Sequence, residues 1–597
     1  MRVLLSRVFN TCRLSQVLSK KNVVSLKLSP LSVQGKRWIQ LCTTYPFDNY
    51  ELERKNFHLD VPEYFNFAHD FIDGWAAAEQ SGKRESDVPA FWWVDSVSKK
   101  EIKWSFQQLS QQSKRVANAL TGGCGLQRGD KVIVILPKIP EWWLLNLACI
   151  RADIILSPGT TLLRSKDIRH RLKLSGAQAI ITSPELSHYV DEGASDIERP
   201  LTKILVGEQS ETRPGWVNYH SLVEKASADF QTAKTKATDP MTLFFTSGTT
   251  GAPKMAELSH ASYGLGHTLT ARYFLQSTSR SVVWNLSDTG WAKCAWSSLF
   301  AAWIHGSCVF IYNSAAFDPA ETLQVLKDYP VEILCAPPTA YRHLVKGHLE
   351  PGMLKSLKHA ICGGEPVNPE MIELWKKGTG LDIHEGYGQT ETTLICARYA
   401  CIDYKPGSMG KASPGIDLAV VDDDGNVLER GTEGNLAVKV KPHRPVGLFT
   451  HYLNEPERTA AVFRGDYYLL GDRCYMDEED YVYFVGRADD VIISSGYRIG
   501  PFEVESALLE HPAVLESAVV SSPDDIRGEV VKAFVILSPD YRNTDPETLD
   551  LELKNHVKTV TAPYKYPRRI EFVTELPKTI SGKIRRVELR NKEWNKE

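Results

Sequence analysis

The sequence predicts an α/β protein with a large N-terminal domain of doubly wound sheets that carries a small antiparallel β-barrel module, followed by a small mobile α/β C-terminal domain. Three observations predict it. First, short apolar strands alternate with helix-length segments: GDKVIVILP leads into EWWLLNLACIRADIILSPG, and AQAIITS, TKILVGE, SVVWNLS, SCVFIYN, EILCAPP and HAICGGEP repeat the theme. Such alternation marks a parallel sheet covered by helices on both faces. Second, around Pro406 the texture changes to LAVVDDDGNVL and EGNLAVKV, alternating strands with Asp-Gly turns, as expected of a compact antiparallel module. Third, beyond GRADDVIISSGYRIG, the strands ESAVVSSP, VVKAFVILSP and RRIEFVTELP interleave with the helices PFEVESALLEHP and DLELKNHVKTV, a unit of about a hundred residues.

The elements follow in order. The first 47 residues hold eight Lys or Arg, six Ser and no acid, and on a helix Arg2, Arg7 and Arg13 separate from a Val, Leu and Phe surface. That amphipathic, acid-poor pattern is the one expected of a mitochondrial presequence rather than a secretory signal, with a floppy basic tail as the alternative; either way residues 1–46 are set aside from the fold. From Tyr64 to about Leu120 the chain is helical around a strand, AFWWVD. Cys294 to Phe317 is uncharged and close to membrane-span length, but Ser297, Ser298, His305, Gly306, Asn313 and Ser314 interrupt it. It reads as a buried helix, a turn at Gly306 and the core strand CVFIY.

Composition narrows the function classes. With 597 residues, 43% hydrophobic and 24% charged, the chain supports several cores and is not a disordered protein. A net charge of -3 supplies no global field for nucleic acid. The eleven cysteines are scattered, with neither a disulfide framework nor a CxxC site, as in a reducing compartment. The expected partners are small molecules, with no nucleic acid, no transmembrane segment, and a monomer or weak oligomer.

The chemistry is carried by four stretches. In LFFTSGTTGAPK a strand empties into glycines, hydroxyls and Lys254, the makings of a phosphate cradle, because backbone N–H groups reach an anion where side chains are absent. Only two residues separate Gly248 from Gly251 and Met255 follows the lysine, so it is not a P-loop; a flexible surface loop is the alternative. HEGYGQTETT offers Tyr387 to stack on a base and Glu391 to hold Mg²⁺, or else a helix N-terminus capped by Thr390. LLGDRCYMDEEDYVYFVGRADD puts Asp472 at a strand end, suited to ribose hydroxyls, with Arg487 fifteen residues later. LPKTISGKIRR sets Lys583 on a glycine turn, where a mobile element could carry it to a reaction centre or leave it in solvent.

Through TSGTTGAPK, GYGQTE, GDRCYMDEEDYVYFVGRADDVIISSGYRIGPFEVE and PKTISGK in that order, the sequence resembles the adenylate-forming superfamily of acyl-CoA synthetases, luciferases and adenylation domains, from about residue 60 to the end. PEYFNFA, PEWWLLNLACIRA, SDTGW, RGEVVKAFV and TAPYKYPR are similar to the mitochondrial medium-chain acyl-CoA synthetases specifically. The resemblance implies a ligase that joins a medium-chain acid to ATP as an acyl-adenylate and then to coenzyme A, using ATP, Mg²⁺ and CoA in the mitochondrial matrix. An aromatic acid or a non-CoA acceptor is the alternative.

Carried onto this chain, Thr246, Ser247, Gly248, Thr249, Thr250, Gly251, Ala252, Pro253 and Lys254 would wrap the β- and γ-phosphates. Glu385, Gly386, Tyr387, Gly388, Gln389 and Thr390 would hold adenine and the α-phosphate, Asp472 the ribose with Arg487 nearby, and Glu391 the Mg²⁺. Lys583 would be the catalyst of adenylation, with Thr390 and Glu391 in the catalytic set. Domains would span 47–487 and 488–597 with a hinge near Asp489. Rotation there would remove Lys583 and present a CoA surface of Ser495, Gly496, Tyr497, Arg527, Lys558, Tyr566, Pro567 and Arg568. From Lys554 onward twelve basic residues against five acidic ones suit that polyphosphate ligand. Thr390, Arg498 and Trp291 would touch the acid. Two positions depart from the family pattern: Glu479-Asp480 replaces an Asp-Gly turn, and Leu162 stands where a polar CoA contact is expected.

Overall fold

The computed structural model describes residues 47–594 apart from 86, 212, 247–252, 495–496, 525–526 and 580–582, and apart from the side chain of Arg498. The presequence expectation therefore lies outside the described residues.

Two large sheets form the body. In the first, Pro240–Thr246, Ile155–Gly159, Lys131–Ile135, Ala179–Thr182, Thr202–Leu205 and Trp216–Asn218 lie parallel, and Lys254–Ser259 and His451–Tyr452 close one edge antiparallel. In the second, Ile383–Gly388, His359–Gly363, Ile333–Ala336, Val282–Asn285, Cys308–Asn313 and Phe91–Asp95 are parallel. Both are rich in Val, Ile and Leu because helices cover their two faces. The helix Pro140–Ala152 shows why such a segment folds inward: Pro140 pre-sets its first turn, Asp153 ends it with φ 57, and nearly every residue between is buried. Trp143 donates from its indole to Ser298 O at 2.7 Å, tying this helix to the segment that once read as a membrane candidate. That segment is core: helical turns reach Ile304, Gly306 turns at φ 70, and Cys308–Asn313 is a buried strand. A Cβ on Gly306 would lie 2.6 Å from the Trp75 indole. Among the described residues no helix is long and apolar enough to cross a membrane.

The antiparallel module consists of Leu418–Val421, Gly434–Lys439, Phe463–Arg464, Tyr467–Met476 and Val482–Arg487. Its recorded pairings run as an open path among the described residues rather than around a closed ring. The Glu479-Asp480 turn is solved without glycine. Asp480 itself takes the left-handed conformation at φ 67, while Asp477 Oδ1 accepts from the N–H groups of Glu479 and Tyr481, both at 2.9 Å. Asp is among the side chains that tolerate this region.

The C-terminal unit builds on Gly528–Leu537, which pairs antiparallel with Val514–Asp524 along one edge and, along the other, with Ile492–Ser494 at its start and in parallel with Arg569–Phe572 further on; Tyr497–Ile499 pairs with Ile492–Ser494. Helices Pro501–Leu509 and Pro546–Val560 cover it with their own apolar core, including Val504, Leu508, Leu553 and Val557. Arg586, from the last helix Arg586–Glu593, makes two bonds to Glu505, at 2.9 and 2.6 Å.

Candidate active site

The phosphate hairpin comes first. Pro240–Thr246 and Lys254–Ser259 pair so that Thr246 faces Lys254 at its mouth. Met241, Leu243, Phe244, Met255, Ala256 and Leu258 of the two strands are buried. Ser247, Gly248, Thr249, Thr250, Gly251 and Ala252 lie outside the described residues. Pro253 is exposed, and Lys254 Nζ stands 4.7 Å above the ring of Tyr452.

The second component lies at the carboxyl ends of parallel strands, where open α/β sheets place their ligands. HEGYGQTETT is a strand, a turn and a return strand, Ile383–Gly388 and Leu394–Ala397, so Thr390 caps no helix. Gly388 of this turn and Gly363 of the neighbouring strand are required by crowding. A Cβ on Gly363 would fall 2.3 Å from Gly386 O, and one on Gly388 would fall 2.3 Å from Thr393 O and 2.6 Å from Trp296 Cη2. Lys293 clamps two strand ends by donating to Ala336 O at 2.9 Å and Gly363 O at 2.7 Å. Glu385 is buried in this strand; desolvation pushes its carboxyl up to about 8, against Arg398 and the Val367 N–H, which favour the charged form.

Asp472 lies inside the strand Tyr467–Met476 rather than at its end, next to Gly471 at φ 71 and a bulge that follows Arg473. The left-handed glycine lets one long strand turn its carboxylate into the site, which a strand end would otherwise be needed to do. Directly across the ladder is Arg487, whose Nη1 donates to Asp472 Oδ1 at 2.7 Å. Asp472 Oδ2 accepts from Gln389 Nε2 at 3.0 Å and from the Tyr387 hydroxyl. Burial, then the charge of Asp472, holds the Tyr387 hydroxyl well above its ordinary range, so it remains a donor. The result is a buried carboxylate fixed by three donors.

Glu391 is buried in the turn, and its Oε1 accepts from the Tyr452 hydroxyl at 2.8 Å. No cluster of three or more His, Cys, Asp or Glu capable of holding a metal occurs among the described residues. One carboxylate beside a phosphate hairpin fits Mg²⁺, which uses one or two carboxylates and completes its shell with substrate phosphates and water.

Lys583 comes from the other unit. It is exposed to solvent as a residue, while desolvation around its ammonium lowers the pKa. The charges of Glu365 and Asp472 oppose that shift, while those of Arg487 and Lys293 reinforce it, so all four lie within electrostatic reach of the ammonium. Thr339 and Arg342 hold the Glu365 carboxylate, at 2.8 and 3.4 Å.

The remaining candidates gather elsewhere. Tyr497 is 53% exposed and stacks on Tyr564 at 4.4 Å; Lys558 lies 4.2 Å from the Tyr566 ring, and Arg568 donates to the Tyr566 hydroxyl at 2.8 Å. Pro567 sits between these partners in sequence, and Arg527 pairs with Asp524 at 3.7 Å. Ser495 and Gly496 lie outside the described residues. Leu162 is 53% exposed, an apolar side chain in solvent. Trp291 is the half-buried N-cap of Ala292–Ala295, whereas Trp296 reaches the Gly388 turn and donates to the Tyr263 hydroxyl at 2.6 Å. Sequence reasoning missed Lys293, Glu365, Trp296 and Tyr452. SDTGW and CGGEP drew attention to the neighbourhood of the first three; Tyr452, in THYLNEP, carried no signal.

The family model for the AMP-binding enzyme matches residues 78–452, and that for the AMP-binding enzyme C-terminal domain matches 503–583. Acyl-coenzyme A synthetase ACSM3, mitochondrial, of Rattus norvegicus is 54% identical over 92% of this chain and 94% of its own length. Acyl-coenzyme A synthetase ACSM5, mitochondrial, of Homo sapiens is 52% identical over 90% and 92%. Among solved structures, an anthranilate CoA ligase in complex with anthranoyl-AMP superposes with a TM-score of 0.79 at 26% identity, covering 89% of this chain and 98% of that one. The acyl-CoA synthetase of Brucella canis gives 0.70 at 31%, covering 92% and 100%.

Proposed function

This chain belongs to the AMP-binding enzyme family, and from that premise we propose that it is the medium-chain fatty acid–CoA ligase its motifs describe. It is an AMP-forming acyl-CoA synthetase that uses ATP, Mg²⁺ and coenzyme A. A carboxylate oxygen of the acid attacks the α-phosphorus of ATP and pyrophosphate departs, giving acyl-AMP. The CoA sulfur then attacks the acyl carbonyl, the bond to the phosphate oxygen breaks, and AMP leaves.

The observation that carries this reading is the Asp472 carboxylate, held by Arg487, Tyr387 and Gln389 and within electrostatic reach of Lys583. A carboxylate with fixed oxygens accepts from two vicinal hydroxyls, and thereby sets the nucleotide relative to the lysine. Lys583, partly desolvated, meets negative charge as it builds between the two anionic reactants, where a preorganised cation is worth most. Thr390, in the same turn as Glu391, is the hydroxyl we assign to the acid and α-phosphate. Glu391 would hold Mg²⁺ with the phosphates, and the ion would neutralise charge on the departing oxygens. The hairpin's Lys254 is assigned to the phosphate tail.

The units 47–487 and 488–597, hinged near Asp489, would serve the two half-reactions in turn. Tyr497, Arg527, Lys558, Tyr566, Pro567 and Arg568 would take CoA once Lys583 has withdrawn. The enzyme is mitochondrial, as its relatives are named; the matrix is the compartment proposed, and import into isolated mitochondria with shortening of the N-terminus tests it. An aromatic acid is the second reading, because one matched structure is an anthranilate ligase. AMP formation with CoA present, measured across straight acids from short to long and benzoate, decides between them. A maximum at medium chain length is expected; a maximum with benzoate would replace the fatty acid.

A further inference from the structure

Tyr452 joins two groups that the sequence keeps far apart. It occupies the short strand His451–Tyr452 at the edge of the eight-stranded sheet, opposite Ala256 of the phosphate hairpin. The backbone around it is fastened to the same elements: Thr450 N–H donates to Glu257 O at 2.7 Å, Leu453 N–H to Met255 O at 2.8 Å, and Phe449 N–H to Glu391 O at 2.7 Å. From that rigid base the side chain, 3% exposed and hydrogen-bonded also to the Tyr468 hydroxyl, reaches both groups. Its hydroxyl donates to Glu391 Oε1 at 2.8 Å, and its ring carries Lys254 Nζ 4.7 Å from the centroid. The Phe449 ring packs beside it at 4.8 Å.

We propose that Tyr452 is a positioning residue for adenylation: its hydroxyl orients the Glu391 carboxylate and its ring holds Lys254, so that carboxylate and ammonium keep a fixed spacing at the mouth of the phosphate hairpin. The proposal rests on the reading of Glu391 as the residue that would hold Mg²⁺. A neutral donor on one carboxylate oxygen leaves the charge intact while removing rotational freedom, which is how groups behind a metal ligand tune its affinity. A lysine on a four-carbon stem samples many positions in water, and an aromatic face restricts it without quenching its charge. Only tyrosine supplies both contacts from one ring. Phenylalanine retains the lysine contact alone, and leucine retains neither.

The test uses the full chain with ATP, with Mn²⁺ as the probe followed by electron paramagnetic resonance, and ATP binding measured separately by calorimetry in EDTA. Tyr452→Phe should weaken Mn²⁺ binding to the protein–ATP complex by about 10- to 100-fold, with ATP affinity in EDTA unchanged. Tyr452→Leu should weaken both. Glu391→Gln distinguishes the two readings. If it leaves Mn²⁺ affinity unchanged, the metal role of Glu391 fails and this proposal goes with it. If it weakens Mn²⁺ binding while Tyr452→Phe does not, the Tyr452 role is overturned and Glu391 stands. A Tyr452→Phe protein that melts earlier but binds Mn²⁺ as before has lost only packing, and that result also overturns the proposal.

Discussion

Asp480 shows what a single residue absorbs when a turn loses its glycine. The left-handed backbone costs an L-residue roughly 1–2 kcal/mol, and Asp480 offsets part of this through its place in the Asp477-centred turn. Its bond to Arg430 at 2.5 Å joins two well-exposed side chains and contributes little. Asp480→Gly should therefore hold or raise stability by up to about 1 kcal/mol, whereas Asp480→Val should lower it by about 1–2 kcal/mol. Urea unfolding measures both, and a glycine variant less stable than the valine one would contradict the argument. At this scale the sequence singles out candidates whose chemistry is intrinsic, namely Asp472, Arg487, Glu391 and Lys583. It missed Lys293, Glu365 and Tyr452, whose importance comes from what the fold sets opposite them.

Strands were the most legible elements, because runs such as KVIVI and CVFIYN are apolar throughout and bounded by turn residues. Two local readings failed for identifiable reasons. Asp472 was read at a strand end because a polar residue closed an apolar run, but the left-handed Gly471 and the following bulge let the strand continue. The Thr390 cap failed because Gln389 N–H donates to Thr392 Oγ1 at 2.9 Å and closes a turn between strands. The strand Ile383–Gly388 also contains a liability, the buried Glu385. Its folded pKa of about 8 lies above the ordinary 4.5, so the protonated form is the one the fold prefers. The burden is absent below pH 4.5, grows as pH rises, and is complete above about 8. Glu385→Gln keeps the shape and an acceptor for the Val367 N–H. Its melting temperature relative to the parent should rise between pH 5 and pH 8 and then level off. An equal difference at both pH values would show that the carboxyl is ionised without penalty.

At the scale of the whole molecule, the site is complete only where the two units meet. The charges of Glu516 and Lys578 are felt by His343, that of Glu510 by Glu370, and those of Glu365, Asp472, Lys293 and Arg487 by Lys583. At the junction, Arg590 of the last helix donates to Asp489 O and lies 3.3 Å from Asp490 Oδ1. None of this docking is written in local sequence patterns, since each contact joins segments far apart in the chain; the resemblance supplied the lysine's role and not its surroundings. The central claim is that this arrangement serves adenylation alone. The direct measurement is single-turnover kinetics of Lys583→Ala in each half-reaction, with folding checked by circular dichroism. Acyl-AMP formation from acid and ATP should fall by about 100- to 1000-fold, while thioester formation from supplied acyl-AMP and CoA should stay near the parent rate. Equal loss of both half-reactions in a folded variant would contradict the account.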